Sequence, residues 1–139
     1  MSGPSLRKKK AHHSIHDGIY TEARDLTNLL KKVISENQFE HLNELTEALI
    51  EHWETRTLAH AVAEEEGFFV EKLAAEPELE EMIIKLKRDH QLMKMIIEQI
   101  KQSIASEGVT ENAIRGFDAL LVLFLLHNEE EEKSLFIDA

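Results

Sequence analysis

The 139-residue sequence contains no cysteine. That excludes disulfides, thiolate-bound zinc, iron–sulfur clusters and cysteine nucleophiles. It also fits a reducing compartment. Proline and glycine are scarce, at 2 and 5 residues, which favours a compact, helix-rich chain. Positive charge is in deficit: 16 Lys and Arg face 27 Asp and Glu, for a net charge of −11. Such an acidic chain is a poor nucleic-acid ligand. The exception is Arg7-Lys8-Lys9-Lys10, which reads as a solvated basic tail over residues 1–11, with a nucleic-acid or membrane role as the alternative. The longest apolar run, Ala119 to Leu126, is too short to cross a bilayer. No apolar segment follows the basic start as a signal peptide requires. A cytoplasmic protein without a membrane or nucleic-acid partner is expected.

What is present is helical periodicity. Apolar residues recur at steps of three and four through residues 12–139, one domain's length. One segment carries Ile15, Ile19, Ala23, Leu26, Leu30 and Val33. A second, from about Phe39 to Ala74, carries Leu42, Leu45, Leu49, Trp53, Ala63 and Val70, with a bend expected near Thr55 to Thr57. A third runs through Leu79, Leu86, Met93, Ile97 and Ile104, and a fourth through Ile114, Phe117, Leu121, Phe124 and Leu135. Ser35–Gln38, Glu76-Pro77 and Gly108 separate them, and Thr110 is placed to cap the fourth. Short connections between long amphipathic helices predict an all-α, antiparallel up-down-up-down four-helix bundle.

Polar residues interrupt these stripes in a repeated way. His60-Ala-Val-Ala-Glu64 and His127-Asn-Glu-Glu-Glu131 share the spacing His-x-x-x-Glu. Four residues are about one helical turn, so each imidazole shares a face with its carboxylate. His90 replaces an apolar residue between Leu86 and Met93, and His16 lies between Ile15 and Ile19. Taken singly, each is a satisfied core histidine or part of a solvated acidic face. Taken together, they put four histidines and two glutamates near one end of a bundle. Burying Glu64 and Glu131 without a cation or donor would be expensive.

Imidazole and carboxylate ligands without thiolate suit iron, manganese or zinc. Two carboxylates bridging two ions, with two imidazoles on each, would leave positions open for a small molecule. Glu-x-x-His and His-Glu-x-x-His motifs are both absent, which argues against a ferritin-type site and a zincin protease. Other polar residues are weaker candidates. His12 or His13 could replace His16 as the ligand on the first helix, and Tyr20 could complete a coordination shell. His41 and His52 are expected at the surface or half-buried. Trp53 is expected near the site, and Arg56 beside an acid.

His16-Asp17, His60-x-x-x-Glu64, Asp89-His90 and His127-x-x-x-Glu131 followed by Leu135-Phe136 together resemble the hemerythrin-like, or HHE cation-binding, family. The resemblance spans residues 12 to 137. It implies two non-heme iron ions, oxo- or hydroxo-bridged, with manganese or zinc as alternatives. Glu64 and Glu131 would then bridge, with His16 and His60 on one iron and His90 and His127 on the other. The chain departs from the oxygen-carrying hemerythrins. Lys94 stands where they have a second histidine on helix three, and their fourth-helix spacing is one residue longer. Four imidazoles rather than five imply a more open centre.

The function this implies is binding, sensing or reacting with a small oxidant or diatomic: oxygen, nitric oxide or peroxide. An iron-sensing or iron-handling module whose fold depends on metal is the alternative. Any enzyme activity would be oxidase- or peroxidase-like, and a metal-free helical adaptor is the plainest reading of the same stripes.

Overall fold

The computed structural model describes residues 9–136, and every regular element among them is helical. Helix α1 spans Lys9–Ser35. Helix α2 occupies residues 42–75 and is composite. Helix α3 spans Glu80–Glu107, after a short 3-10 turn at Pro77–Leu79, and α4 spans Glu111–Leu135. The four pack as a helical bundle: α1 touches α2 and α4, and α3 touches α2 and α4. No helix among the described residues is long and apolar enough to cross a membrane.

Each helix buries one stripe. On α1 the buried positions are His12, His16, Ile19, Ala23, Thr27 and Leu30; on α3 they are Ile83, Leu86, His90, Met93, Ile97 and Ile100. Steps of three and four keep these residues on one face of a 3.6-residue helix. The helix begins by Lys9, so Lys9 and Lys10 are exposed helical residues rather than tail; Arg7 and Lys8 lie outside the described residues. Thr110 does precede α4, but its side chain makes no capping bond to the helix; its hydroxyl donates to Glu107 instead (3.0 Å).

Helix α2 has a different period. Four of its buried positions, Leu49, Trp53, Thr57 and Ala61, are four apart. In a straight α-helix each four-residue step turns the stripe by about 40°, so three steps would rotate it by about 120°. The chain absorbs the drift with two wide π turns, Trp53–Thr57 and Glu64–Phe68, between α-helical Leu42–His52, Leu58–Ala63 and Phe69–Ala75. The expected bend is thus a π turn, and a second one follows at Glu64.

Two apolar clusters result. The larger joins Ile19, Leu30, Leu49, Trp53, Met93, Ile97, Phe117 and Phe124; the smaller joins Phe68, Phe69, Ile83, Leu86, Leu135 and Phe136. At Gly116 the helices α3 and α4 come so close that a Cβ would overlap Cγ1 and Cδ1 of Ile100. The polar residues described next touch both clusters.

Candidate metal centre

Buried histidine and glutamate side chains converge from all four helices. Glu64 and Glu131 are 1% and 0% exposed, where a bare carboxylate is costly unless paired. Their partners are imidazoles. Glu64 Oε2 lies 3.0 Å from His12 Nε2, 3.4 Å from His60 Nε2 and 3.9 Å from His16 Nε2. Its other oxygen, Oε1, lies 3.4 Å from His90 Nε2. Glu131 behaves alike: Oε1 contacts His12 Nε2 and lies 3.5 Å from His16 Nε2, while Oε2 is 3.3 Å from His127 Nε2. Each carboxylate therefore turns one oxygen to a group made by His12, His16 and His60, and the other to His90 or His127.

These atoms could hold a metal ion. One ligand atom from each of His12, His16, His60 and Glu64 lies within 4.8 Å of the others, and the same holds for Glu64, His90 and His127. The facing Nε2 atoms of His90 and His127 are 3.2 Å apart. Two metal–nitrogen bonds of about 2.1 Å at an angle of about 100° would separate their nitrogens by about 3.2 Å. Nε2 of His16 and His60 and the oxygens Glu64 Oε2, Glu131 Oε1 and Glu131 Oε2 are buried and have no well-aligned hydrogen bond. Buried ligand-type atoms left so call for a cation or protons.

An outer ring of carboxylates orients the imidazoles. His90 Nδ1–H donates to Glu65 (2.6 Å), His127 Nδ1–H to Asp89 (3.0 Å) and His16 Nδ1–H to Glu132 (2.9 Å). A donor at Nδ1 leaves a lone pair at Nε2, the tautomer a metal ligand needs. The second π turn lies at this point. It carries two consecutive contacts to His90: Glu64 faces Nε2 from the centre and Glu65 reaches Nδ1 from outside.

Rings close the site. Phe136 and Phe68 lie 4.8 and 5.7 Å from His12 between ring centres, Phe69 stacks on His90 at 6.0 Å, and Phe124 meets His16 edge-on at 6.1 Å. Trp53 packs on Phe124 at 5.8 Å, one layer further out.

Protonation follows from the same contacts. Burial works against a charged His12, yet Glu131 and Glu64 push it up to about 10. Burial likewise opposes charge on His127, which Asp89 and Glu131 push up to about 9. Burial disfavours ionised Glu64, but His12, His16, His60 and His90 hold it well below the usual carboxylate range. Without metal, protons on the imidazoles compensate the carboxylates.

The six residues singled out in the sequence, His16, His60, Glu64, His90, His127 and Glu131, all stand in this cluster; five are buried and His60 is half-buried. What the sequence left as an alternative to His16, namely His12, stands beside it: their rings meet edge-on at 4.2 Å. The imidazoles therefore number five, not four. The signal was available, since His12 and His16 are also one turn apart, but the basic run placed the helix start too late. His13 is exposed and bonds Glu132 rather than the centre. Tyr20 is half-buried on a neighbouring cavity wall. His52, expected at or near the surface, is buried: its Nε2–H donates to the carbonyl of Ile19 (3.0 Å), joining α2 to α1. Arg56 pairs with Glu22 at the surface.

No family model, curated protein or solved structure matches this chain, so the case for its chemistry rests on this cluster.

Proposed function

We propose that the protein is a hemerythrin-like, non-heme di-iron protein that binds, senses or reacts with oxygen, nitric oxide or peroxide. The observation that carries this reading is the split contact of Glu64 and Glu131, each with one oxygen toward His12 and its neighbours and one toward His90 or His127. A carboxylate so placed suits two ions better than one. The bundle would run up-down-up-down. In support, His13 near the start of α1 pairs with Glu132 near the end of α4, while Lys31 late in α1 pairs with Asp118 early in α4. Lys101 late in α3 likewise pairs with Glu54 early in α2.

Bound ferrous iron would supply electrons and an open coordination position for a small ligand. The chain's own residues do the rest. Three imidazoles gather on one side and two on the other, so the His90–His127 side has fewer protein ligands and is where a small molecule fits. Phe69, Phe124 and the apolar clusters limit access of water. Glu65, Asp89 and Glu132 hold the imidazoles in place and accept their Nδ1 protons.

The test is the absorption spectrum and iron content of protein made in iron-rich medium and purified in air. Two irons per chain and near-ultraviolet bands that shift with azide are expected. His60→Ala and Glu131→Ala should lower the iron content. A colourless protein holding zinc, or unchanged iron in both variants, overturns the reading.

A second reading, an iron-handling module whose fold depends on metal, is favoured by the two fully buried carboxylates at the centre. Equal protease resistance with and without metal would sink it.

A further inference from the structure

The outer face of α4 is apolar at mid-helix, where a bundle helix usually turns polar residues to water. Ala119–Leu126 is a run of eight consecutive apolar residues, so it supplies both sides of the helix. Leu120, Leu121 and Phe124 face the core, while Val122, Leu125 and Leu126 remain 59%, 45% and 60% exposed. On the α3 side the patch continues to Ile84, which is 58% exposed and lines one groove with Leu123 and Leu126. Single exposed apolar residues are ordinary, but a contiguous patch marks a surface that meets a partner.

The charges flanking the patch identify that partner. Arg115, Ala119, Val122, Leu126, Glu129 and Lys133 follow one another in alternating steps of four and three, the spacing of a helix–helix seam. All are exposed, and with Glu111 they lie within about 60° of Val122 around the helix. Two copies of α4 packed antiparallel about a twofold axis at Val122 set each residue before that position opposite the one equally far after it. Arg115, seven before, then meets the partner's Glu129, seven after; Glu111, eleven before, meets the partner's Lys133, eleven after. Val122 meets its own copy, and Leu126 packs beside the partner's Ala119. One register thus matches every charge of the seam with its opposite and leaves the apolar residues together. A parallel, in-register pair would set Arg115 against Arg115 and Glu129 against Glu129. The four seam charges also cancel, on a chain of net charge −11. Within one chain Arg115 lies 3.6 Å from Glu111, an exposed pair that contributes little and is readily exchanged. Asp118, at the edge of the face, is held by Lys31 of its own chain (2.8 Å).

We propose that this face joins two copies of the chain as an antiparallel α4–α4 dimer with its twofold axis at Val122. A second copy is the occupant because the face is complementary to itself in charge and in apolar surface at the same register. Val122 and Glu131 are nine residues apart, on opposite sides of the helix. The dimer therefore leaves each buried histidine–glutamate cluster inside its own bundle, and the proposal does not depend on what that cluster holds.

Sedimentation equilibrium of the chain as purified tests this, with a concentration-dependent dimer expected. Leu126 lies at the surface, so Leu126→Glu should fold and melt as the wild type does, yet raise the dimer dissociation constant by about 100-fold. Arg115→Glu and Glu129→Arg should each weaken the dimer by about ten-fold. An equal mixture of those two variants should regain wild-type association, because each seam charge again meets its opposite. The chain has no cysteine, so one introduced thiol reports the register. Under diamide, Val122→Cys should form a disulfide-linked dimer at the axis. Leu126→Cys should not, since its thiols would lie about 12 Å apart along the seam. A wild type still monomeric at about 1 mM overturns the proposal, whether its α4 face then takes lipid vesicles or an unlike protein. A dimer left unchanged by Leu126→Glu, or one that links through Leu126→Cys and not through Val122→Cys, overturns it too.

Discussion

The Nε2 atoms of His90 and His127 face each other across 3.2 Å, while their Nδ1 atoms are held by Glu65 and Asp89. With both Nδ1–H groups donating outward, two lone pairs meet in a buried space. That arrangement is stable only with a proton or a cation between them. The consequence is competition between protons and metal.

Metal binding should therefore release protons, and apparent affinity should rise with pH from 6 to 9. Calorimetry in buffers of different ionisation enthalpy measures the release. Uptake without proton release would contradict the pairing of His90 with His127.

The metal-free protein should show the opposite trend in stability. His12 and His127 are raised from 6.5 to about 10 and about 9 in the folded state. Their contribution is complete below pH 6.5 and is lost as pH climbs through those values. Glu64 is lowered from 4.5, so its contribution is present above pH 4.5 and is lost as pH falls through its depressed value. Metal-free protein should thus melt highest between pH 4.5 and 6.5 and lose stability toward pH 10. Metal-loaded protein should not follow that alkaline decline. A metal-free melting temperature that rises from pH 6.5 to 9 would refute this.

The outer carboxylates should matter without touching metal. Asp89→Asn and Glu65→Gln leave the ligands in place but replace the charged acceptors that orient His127 and His90 with neutral amides. Each should weaken metal affinity by about 10- to 100-fold, read by competition with a chromophoric chelator. Wild-type affinity in both would show that the negative charge of Asp89 and Glu65 adds nothing to metal binding.

His12 and His16 are separable by substitution. Each ring is buried in the cluster and each Nε2 faces both Glu64 and Glu131. If both are ligands, His12→Ala and His16→Ala should each reduce metal content, and His13→Ala should not. Full metal content in His12→Ala would return the count to four imidazoles.

Packing predicts a fifth effect, remote from the site. Gly116→Ala would drive a methyl group into Ile100. Overpacking of this kind costs about 1–3 kcal/mol, measurable by urea unfolding. An unchanged midpoint would mean that the α3–α4 contact yields easily.

The helical class was legible in the sequence because the burial stripes of α1, α3 and α4 follow a period of 3.6 residues, which needs no tertiary knowledge. The paired spacing of His60 with Glu64 and His127 with Glu131 was equally plain, being a local property of one helical turn. Helix α2 was less so. Its four-residue stripe reads as an imperfect helix, and only packing against its neighbours turns the mismatch into two π turns. The start of α1 was misplaced for a related reason: Lys9 and Lys10 carry no apolar signal, yet they begin the turn that brings His12 inward.

By itself, then, the sequence determined an acidic, cysteine-free, helical chain with His–Glu pairs interrupting its apolar faces. Only the tertiary structure decided that five imidazoles meet two carboxylates, that Glu64 and Glu131 each face two groups, and that His13 joins a cavity instead of the centre. Spacing along a helix determines which face a residue occupies. Which atoms meet across the bundle depends on helix phase and register, and those are set by packing of whole faces against one another.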